Sequence, residues 1–481
     1  MNSTGAPVSG HPDAPAGAVS FERAVDLPVS REEAFAWHDR PGAFERLTPP
    51  FDPAEVIERR GEGICDGTTV ELRVGKPPLR LKMVAQHSGY DPPRGFVDSQ
   101  LSGPFAHWRH EHRFEERGAN ACRMVDSIRY LLPLAPVGPL FGGSLVRSKL
   151  RRMFDYRHAT TAADLADHAR ARALLEPRGQ WPLRVLVSGA SGLVGSALCA
   201  FLTTGGHSVH RLVRRAARTD DEVRWDPAAG EVDPESVSGY DVVVHLAGAG
   251  IADKRWSDER KRLILDSRVD GTRALAGALA AAPRPPRVML STSAVGFYGD
   301  RGEETLDESS AAGTGFLADV AREWEAAADP AREAGVRVIH PRLGVVLSPA
   351  GGALGKLLLP FQLGLGGPLG SGSHYMPWIG IDDVLGAMLF CIADEQQVGP
   401  INFCAPQDLT NLEFSRTLGR VLSRPALLPV PPPALRVVLG DMVDEALMAS
   451  TRVVPKRLNG SGYRFRHSEL ESALRHVLGR T

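Results

Sequence analysis

Between Phe21 and about Leu175 the chain runs through short alternations of apolar and polar residues and then changes to a helical period. Thr68 to Val74, Leu79 to His87, Phe96 to Leu101, Ala106 to Glu116 and Arg123 to Leu132 have the length and composition of strands between turns, which predicts an antiparallel sheet. A helix precedes them, announced by the capping-box pattern Ser30-Arg-Glu-Glu33. From about Ser144, Val146, Leu150 and Phe154 recur every four residues while Arg147 and Arg151 take another face, the pattern of a long helix covering that sheet. After LEPRGQWP, residues 175–182, the pattern becomes strand, glycine turn, helix, repeated. Strands near Leu183 to Ser188, Ser208 to Val213, Asp241 to Leu246, Val288 to Ser291 and Val336 to His340 alternate with helices, which implies a parallel sheet with crossover helices. The run LPVPPP, 428–433, breaks any element, and a last helix carries a second capping pattern, Ser468-Glu-Leu-Glu471. The chain therefore divides into a flexible tail (1–19), an α+β domain (20–175), a linker (176–182), an α/β domain (183–427) and a small C-terminal domain (428–481).

A length of 481 residues is too great for one core. Lysine plus arginine (56) nearly cancels aspartate plus glutamate (57), so no overall field draws the chain to nucleic acid or an acidic membrane. No apolar run reaches the roughly 18 residues of a membrane span, and the first 19 residues lack the basic and apolar regions of a secretion signal. Five scattered cysteines without a CxxC pair fit a reducing cytoplasm. The partners this leaves are small or apolar molecules.

The candidate chemistry starts at LRVLVSGASGLVG, 183–195. A buried strand runs into Gly189, Ser191, Gly192, Leu193, Val194 and Gly195, which open a helix. Glycines there let the backbone turn tightly and approach a pyrophosphate, whose charge rests on the free N–H groups of the helix start. The next strand ends in Arg214 and Arg215, where an acidic residue would present itself to the ribose of NAD. Two guanidinium groups suit a 2′-phosphate, so NADP is the expected cofactor, with NAD the other choice. Asp226 is placed to accept from an adenine amine or to start a turn. His245-Leu246-Ala247-Gly248 ends the fourth strand with small residues that leave room for the cofactor.

GASGLVG, HLAGAGI, STSAVGFYGD, TLDESS, PRLGVVL and WIGIDDV together resemble an extended short-chain dehydrogenase/reductase of the NAD-dependent epimerase/dehydratase type. RWSDERKRLILDSRVDGT, GFLADVAREWE and LPFQLGLGGPLGSG resemble its atypical "epimerase family" branch, as does the C-terminal segment. The resemblance implies a doubly wound Rossmann sheet. The phrases WHDRPGAFERLTPP, GPFAHWRHEH and DYRHATTAADL are similar to START-like, polyketide cyclase-type helix-grip domains, which implies that the first domain holds a hydrophobic small molecule. In typical dehydrogenases of this kind a Tyr-x-x-x-Lys helix handles the proton; here Phe316 and Val320 stand at those positions. The oxygen-binding hydroxyl has a counterpart in Ser293, and Tyr298, Glu323 with Asp319, and Asp382 with Asp383 are the candidates to replace the proton donor, Tyr298 reading equally as a structural tyrosine. Asp319 and Glu323 read as solvated helix charge, Asp382 and Asp383 as helix caps, and Arg342 as an anion clamp or a structural ion pair.

In Ala106 to Glu116, Trp108, His110, His112 and Phe114 share one face, toward the expected ligand cavity. With no convincing third ligand, no metal is expected there; the histidines read as ligand contacts or as structural residues satisfied by Asp126 or Asp98. The leading reading is an NADP-binding oxidoreductase or epimerase. The rival is a non-catalytic dinucleotide sensor, favoured by the missing tyrosine and lysine.

Overall fold

A computed structural model describes residues 15–76, 78–133 and 137–480, so most of the expected tail lies outside the described residues. The chain forms two compact units, one of residues up to Asp39 with Asp52–His158, the other of Arg40–Phe51 with the residues from Ala159 onward.

The first unit is one antiparallel sheet, β1 (Val19–Leu27), β2 (Ala54–Arg60), β3 (Thr69–Val74), β4 (Leu81–Asp91), β5 (Gly95–Ser102), β6 (His107–Glu116) and β7 (Cys122–Leu131), in the order β1-β7-β6-β5-β4-β3-β2. The two strands that the apolar pattern did not announce, β1 and β2, are the sheet edges. Edge strands carry charge to resist pairing with other chains, and here Glu22, Asp26, Glu55, Glu58, Arg59 and Arg60 dilute the alternation. Helix α1 (Arg31–Asp39) starts where Ser30 Oγ accepts from the Glu33 N–H at 3.3 Å. It buries Phe35, Trp37 and His38, with Phe35 against the rings of Phe96 and Phe114.

The long helix α3 (Val137–Leu175) supplies residues to both units. Within the first, Leu150 and Phe154 pack with Phe21, Ile128 and Tyr130, as the four-residue period requires.

The second unit is a parallel sheet in the order β10 (Glu222–Arg224), β9 (Ser208–Val213), β8 (Arg184–Ser188), β11 (Val242–His245), β12 (Val288–Ser291), then Arg337–Leu343. Ser293–Ala294 and Gly399–Phe403 both pair with that last strand. Val185, Val187, Val242, Val244 and Leu290 are fully buried, the near-continuous apolar runs of strands covered on both faces. Strand order reverses between β8 and β11, and in such sheets ligands bind outside the carboxyl ends of the strands at that switch point.

Helix α2 (Ala43–Leu47) belongs to this unit, held by a buried Arg46 that donates to both oxygens of Asp164 (2.7 and 2.8 Å) and to Asp382 (2.7 Å). Asp382 and Asp383 therefore do not cap their helix, whose N-cap is Gly380. Asp383 instead accepts from the backbone N–H groups of Arg466 (2.6 Å) and His467 (3.1 Å). The last helix, Leu470–Leu478, begins without a side-chain cap, so Ser468 does not play the part its spacing predicted. Leu470, Leu474 and Val477 pack with Trp378 and Phe414. No described helix is long and apolar enough to cross a membrane.

Candidate functional site

The glycine loop closes on the switch point. Gly189 has φ +68°, the left-handed region, and a Cβ there would meet the carbonyl carbon of Leu246 at 2.8 Å. The turn after β8 thus touches the end of β11, where Leu246, Ala247 and Gly248 lie. A Cβ on Gly195 would meet the Gly189 oxygen at 2.2 Å, because the first turn of helix α4 (Leu193–Thr204) packs directly on the loop. Gly192 differs: it is exposed, caps α4 in extended conformation, and has only the Gly189 oxygen near, at 3.3 Å. Two of the three glycines are needed for the fold of the loop, and the third leaves the helix N-terminus open to a ligand. Exposed Ser191 and half-buried Leu193 and Val194 complete the turn. A buried bond fixes the floor, with Ser188 Oγ 2.6 Å from His245 Nδ1 and accepting from the N–H groups of Leu246 (3.1 Å) and Ala247 (3.3 Å). Burial holds His245 down to about 4, so it is a neutral part of the scaffold.

The arginines that end β9 have separate fates. Arg215 is spent on Glu222, to which it donates twice (2.7 and 2.6 Å). Arg214 is exposed and makes no ion pair with any described residue. Asp226 Oδ1 accepts from the N–H groups of Ala228 (3.1 Å) and Ala229 (3.2 Å), which makes it the start of a turn.

A second set of cations surrounds the loop after β11. Helix α5 (Asp258–Ala281) buries Ile264, Thr272 and Leu275 on one face, and on that face Arg268 takes a place where an apolar residue would be ordinary. It donates to the carbonyls of Ala249 (2.9 Å) and Ile264 (3.1 Å), and its guanidinium stands 5.0 Å from the centre of the Trp324 ring. No described carboxylate pairs with it, and burial drops it to about 10. Arg260 donates to the Gly250 carbonyl and Lys356 to that of Ala252. The sequence signal for Arg268 is a charge on the apolar stripe of this helix.

Ser293 and Tyr298 are brought together, but in a closed network. Ser293 Oγ donates to Glu325 at 2.7 Å, and Arg342 donates to both Glu325 oxygens at 2.8 Å. A further Arg342 nitrogen donates to the Tyr298 hydroxyl at 3.0 Å, which in turn donates to Asn402 at 2.7 Å. Tyr298 is fully buried, and burial pushes its hydroxyl up to about 12. Burial and bonds to Arg342 and Asn402 favour the structural reading of Tyr298 over that of proton donor. Glu325, which sequence reasoning passed over, holds Ser293. Arg342 is a structural ion-pair partner, while Asp319 and Glu323 are exposed. Phe316 begins helix α6 (Phe316–Ala326) against Trp256, Val320 is core, and the helix start is met by Glu445, which accepts from the Leu317 N–H at 2.9 Å.

In the first unit, His110, His112 and Phe114 are buried and Trp108 is half-buried beside Phe105. The three buried side chains are packed rather than lining open space. Phe114 meets Phe35 and His38 of α1, and the histidines meet Asp126 and Asp98.

Comparisons with known proteins agree with this layout. Residues 185–403 match the NAD dependent epimerase/dehydratase family, 27–153 the polyketide cyclase/dehydrase and lipid transport family, and 430–477 a domain of unknown function. An epimerase family protein of Mycobacterium bovis is 42% identical over 296 residues, covering 62% of this chain and 98% of that protein. A crystal structure described as the nucleoside-diphosphate sugar epimerase of Corynebacterium glutamicum is 35% identical with a TM-score of 0.76, covering 95% of this chain and 90% of that one. The human epimerase family protein SDR39U1, solved with NADPH, is 34% identical with a TM-score of 0.57, covering 62% of this chain and all of the other.

Proposed function

The chain belongs to the NAD dependent epimerase/dehydratase family, and from that premise we propose that it binds NADP at the switch point and carries out oxidoreductase or epimerase-type hydride transfer beside Ser293. The observation that carries this reading is the open helix start at Gly192, on the loop that touches the end of β11, with an exposed Arg214 just after β9 and Arg268 bonded to the loop after β11. Backbone N–H groups at a helix start and guanidinium groups without carboxylates are what a dinucleotide with an added 2′-phosphate neutralises. The solved human relative with NADPH supports that choice. In the first unit, the lipid-transport family match supports a hydrophobic small molecule as substrate or effector. A reducing cytoplasm suits five cysteines that are all free thiols.

A second reading, a non-catalytic NADP sensor, is favoured by one observation: Phe316, Val320 and the buried Tyr298 leave Ser293 without a proton donor of the usual kind. Incubating the protein with NADPH and a panel of apolar carbonyl compounds separates the two. Consumption of NADPH that Ser293→Ala abolishes, with cofactor affinity retained, supports the enzyme. Binding without consumption across the panel supports the sensor.

A further inference from the structure

We infer that Asp98, His110 and His112, with His87 beside them, form a binding site for one divalent transition-metal ion of the zinc class. The sheet register assembles the site. Asp98 on β5 lies directly across from His87 on β4 and from His110 on β6, making one row over three strands. His112, two residues further along β6, lies across from Asp126 on β7. Directly opposed residues on one face of an antiparallel pair bring their side chains into contact, so the order of the strands alone concentrates three imidazoles and two carboxylates.

One donor atom each from Asp98, His110 and His112 lies within 4.8 Å of the others. Two of the separations are 3.2 Å, His112 Nε2 to Asp98 Oδ2, and 3.9 Å, His110 Nδ1 to the same oxygen. Bonds of about 2.0 to 2.1 Å in a tetrahedral arrangement put donor atoms about 3.3 Å apart, so shifts of a few tenths of an ångström suffice. The remaining nitrogens are already oriented. His110 Nε2 stands 2.9 Å and His112 Nδ1 2.8 Å from the same Asp126 oxygen. Asp126 is itself held by His158 Nε2 at 2.7 Å. A carboxylate behind a histidine fixes the tautomer that turns a lone pair toward a metal.

His87 Nδ1 stands 2.5 Å from Asp98 Oδ1, which makes His87 the fourth side chain of the cluster. Imidazole with carboxylate selects zinc-class ions over calcium or magnesium, which take oxygen sets. The partly exposed Asp98 and His87 are the way in, and three protein donors leave the fourth position for His87 or water.

The test uses the full chain, stripped with a chelator and titrated with Co²⁺ as a coloured substitute for Zn²⁺, then with Zn²⁺ itself. One equivalent is expected to bind with visible ligand-field absorption, and Zn²⁺ is expected to displace it. Asp98→Ala should weaken binding at least 10-fold while keeping the near-ultraviolet dichroism of the wild type. Absence of saturable binding, or equal binding by that variant, overturns the site. If the variant does not fold, X-ray absorption at the zinc edge of the loaded wild type decides: imidazole and oxygen scattering is expected, and a sulfur shell, which the free cysteines would give, overturns it.

Discussion

At the residue scale the account turns on which side chains are committed to the fold and which are left for a ligand. Gly195→Ala forces a carbon to within 2.2 Å of a backbone oxygen. It should cost about 1 to 3 kcal/mol as overpacking and lose NADPH binding together with stability. Gly192→Ala meets only one atom, at 3.3 Å. It should leave the melting temperature near that of the wild type while NADPH affinity falls at least 10-fold; equal thermal losses in the two variants would mean that Gly192 serves the loop and not a ligand. Arg268 is a half-buried cation that no described carboxylate pairs with, an arrangement that is costly unless something else supplies the anion. Arg268→Met should therefore be at least as stable as the wild type in the absence of cofactor and weaker in NADPH binding, measured by thermal melting with and without NADPH. A destabilised variant with unchanged affinity would assign the arginine to packing alone.

At the scale of elements, the legible parts were those where one period ran unbroken. Five strands of the parallel sheet followed from their apolar runs, the turn at Gly189 from its glycines and α3 from its four-residue repeat, whereas the shorter strands Glu222–Arg224, Ser293–Ala294 and Gly399–Phe403 had no such run to announce them. The edge strands β1 and β2 were hidden because an edge needs charge more than it needs alternation. Site residues divided in the same way. Backbone-driven features, the glycine loop above all, are written in local sequence. Glu325 reaches Ser293 and Arg342, which lie on two strands, from a helix, and no local pattern records such a meeting; Asp98 becomes a neighbour of His110 only through strand register. Caps show the limit most simply. Thr410 and Glu413 satisfy each other's backbone groups at the start of the helix Asn411–Leu422, whereas Ser468, with a similar spacing, caps nothing. Thr410→Ala should lower stability by about 1 kcal/mol, and Ser468→Ala should leave it unchanged in denaturant titrations.

Over the whole molecule, burial of neutral histidines ties stability to pH. Burial holds His245 and His168 to about 4 in the fold, against about 6.5 in the unfolded chain. The unfolded state therefore takes up protons first as pH falls. The stability due to each group is complete above about 6.5 and is lost toward pH 4, by up to about 3 kcal/mol for each histidine. The denaturation midpoint should fall between pH 7 and pH 5, and a flat profile would mean that these rings are not buried neutral. The central claim, however, concerns the cofactor. Calorimetric titration of the wild type and of Arg214→Ala with NADPH and NADH tests it most directly. The account predicts that the wild type binds NADPH at least 10-fold more tightly than NADH and that Arg214→Ala removes the preference. Equal affinity of the wild type for the two nucleotides, or no binding of either, would contradict it.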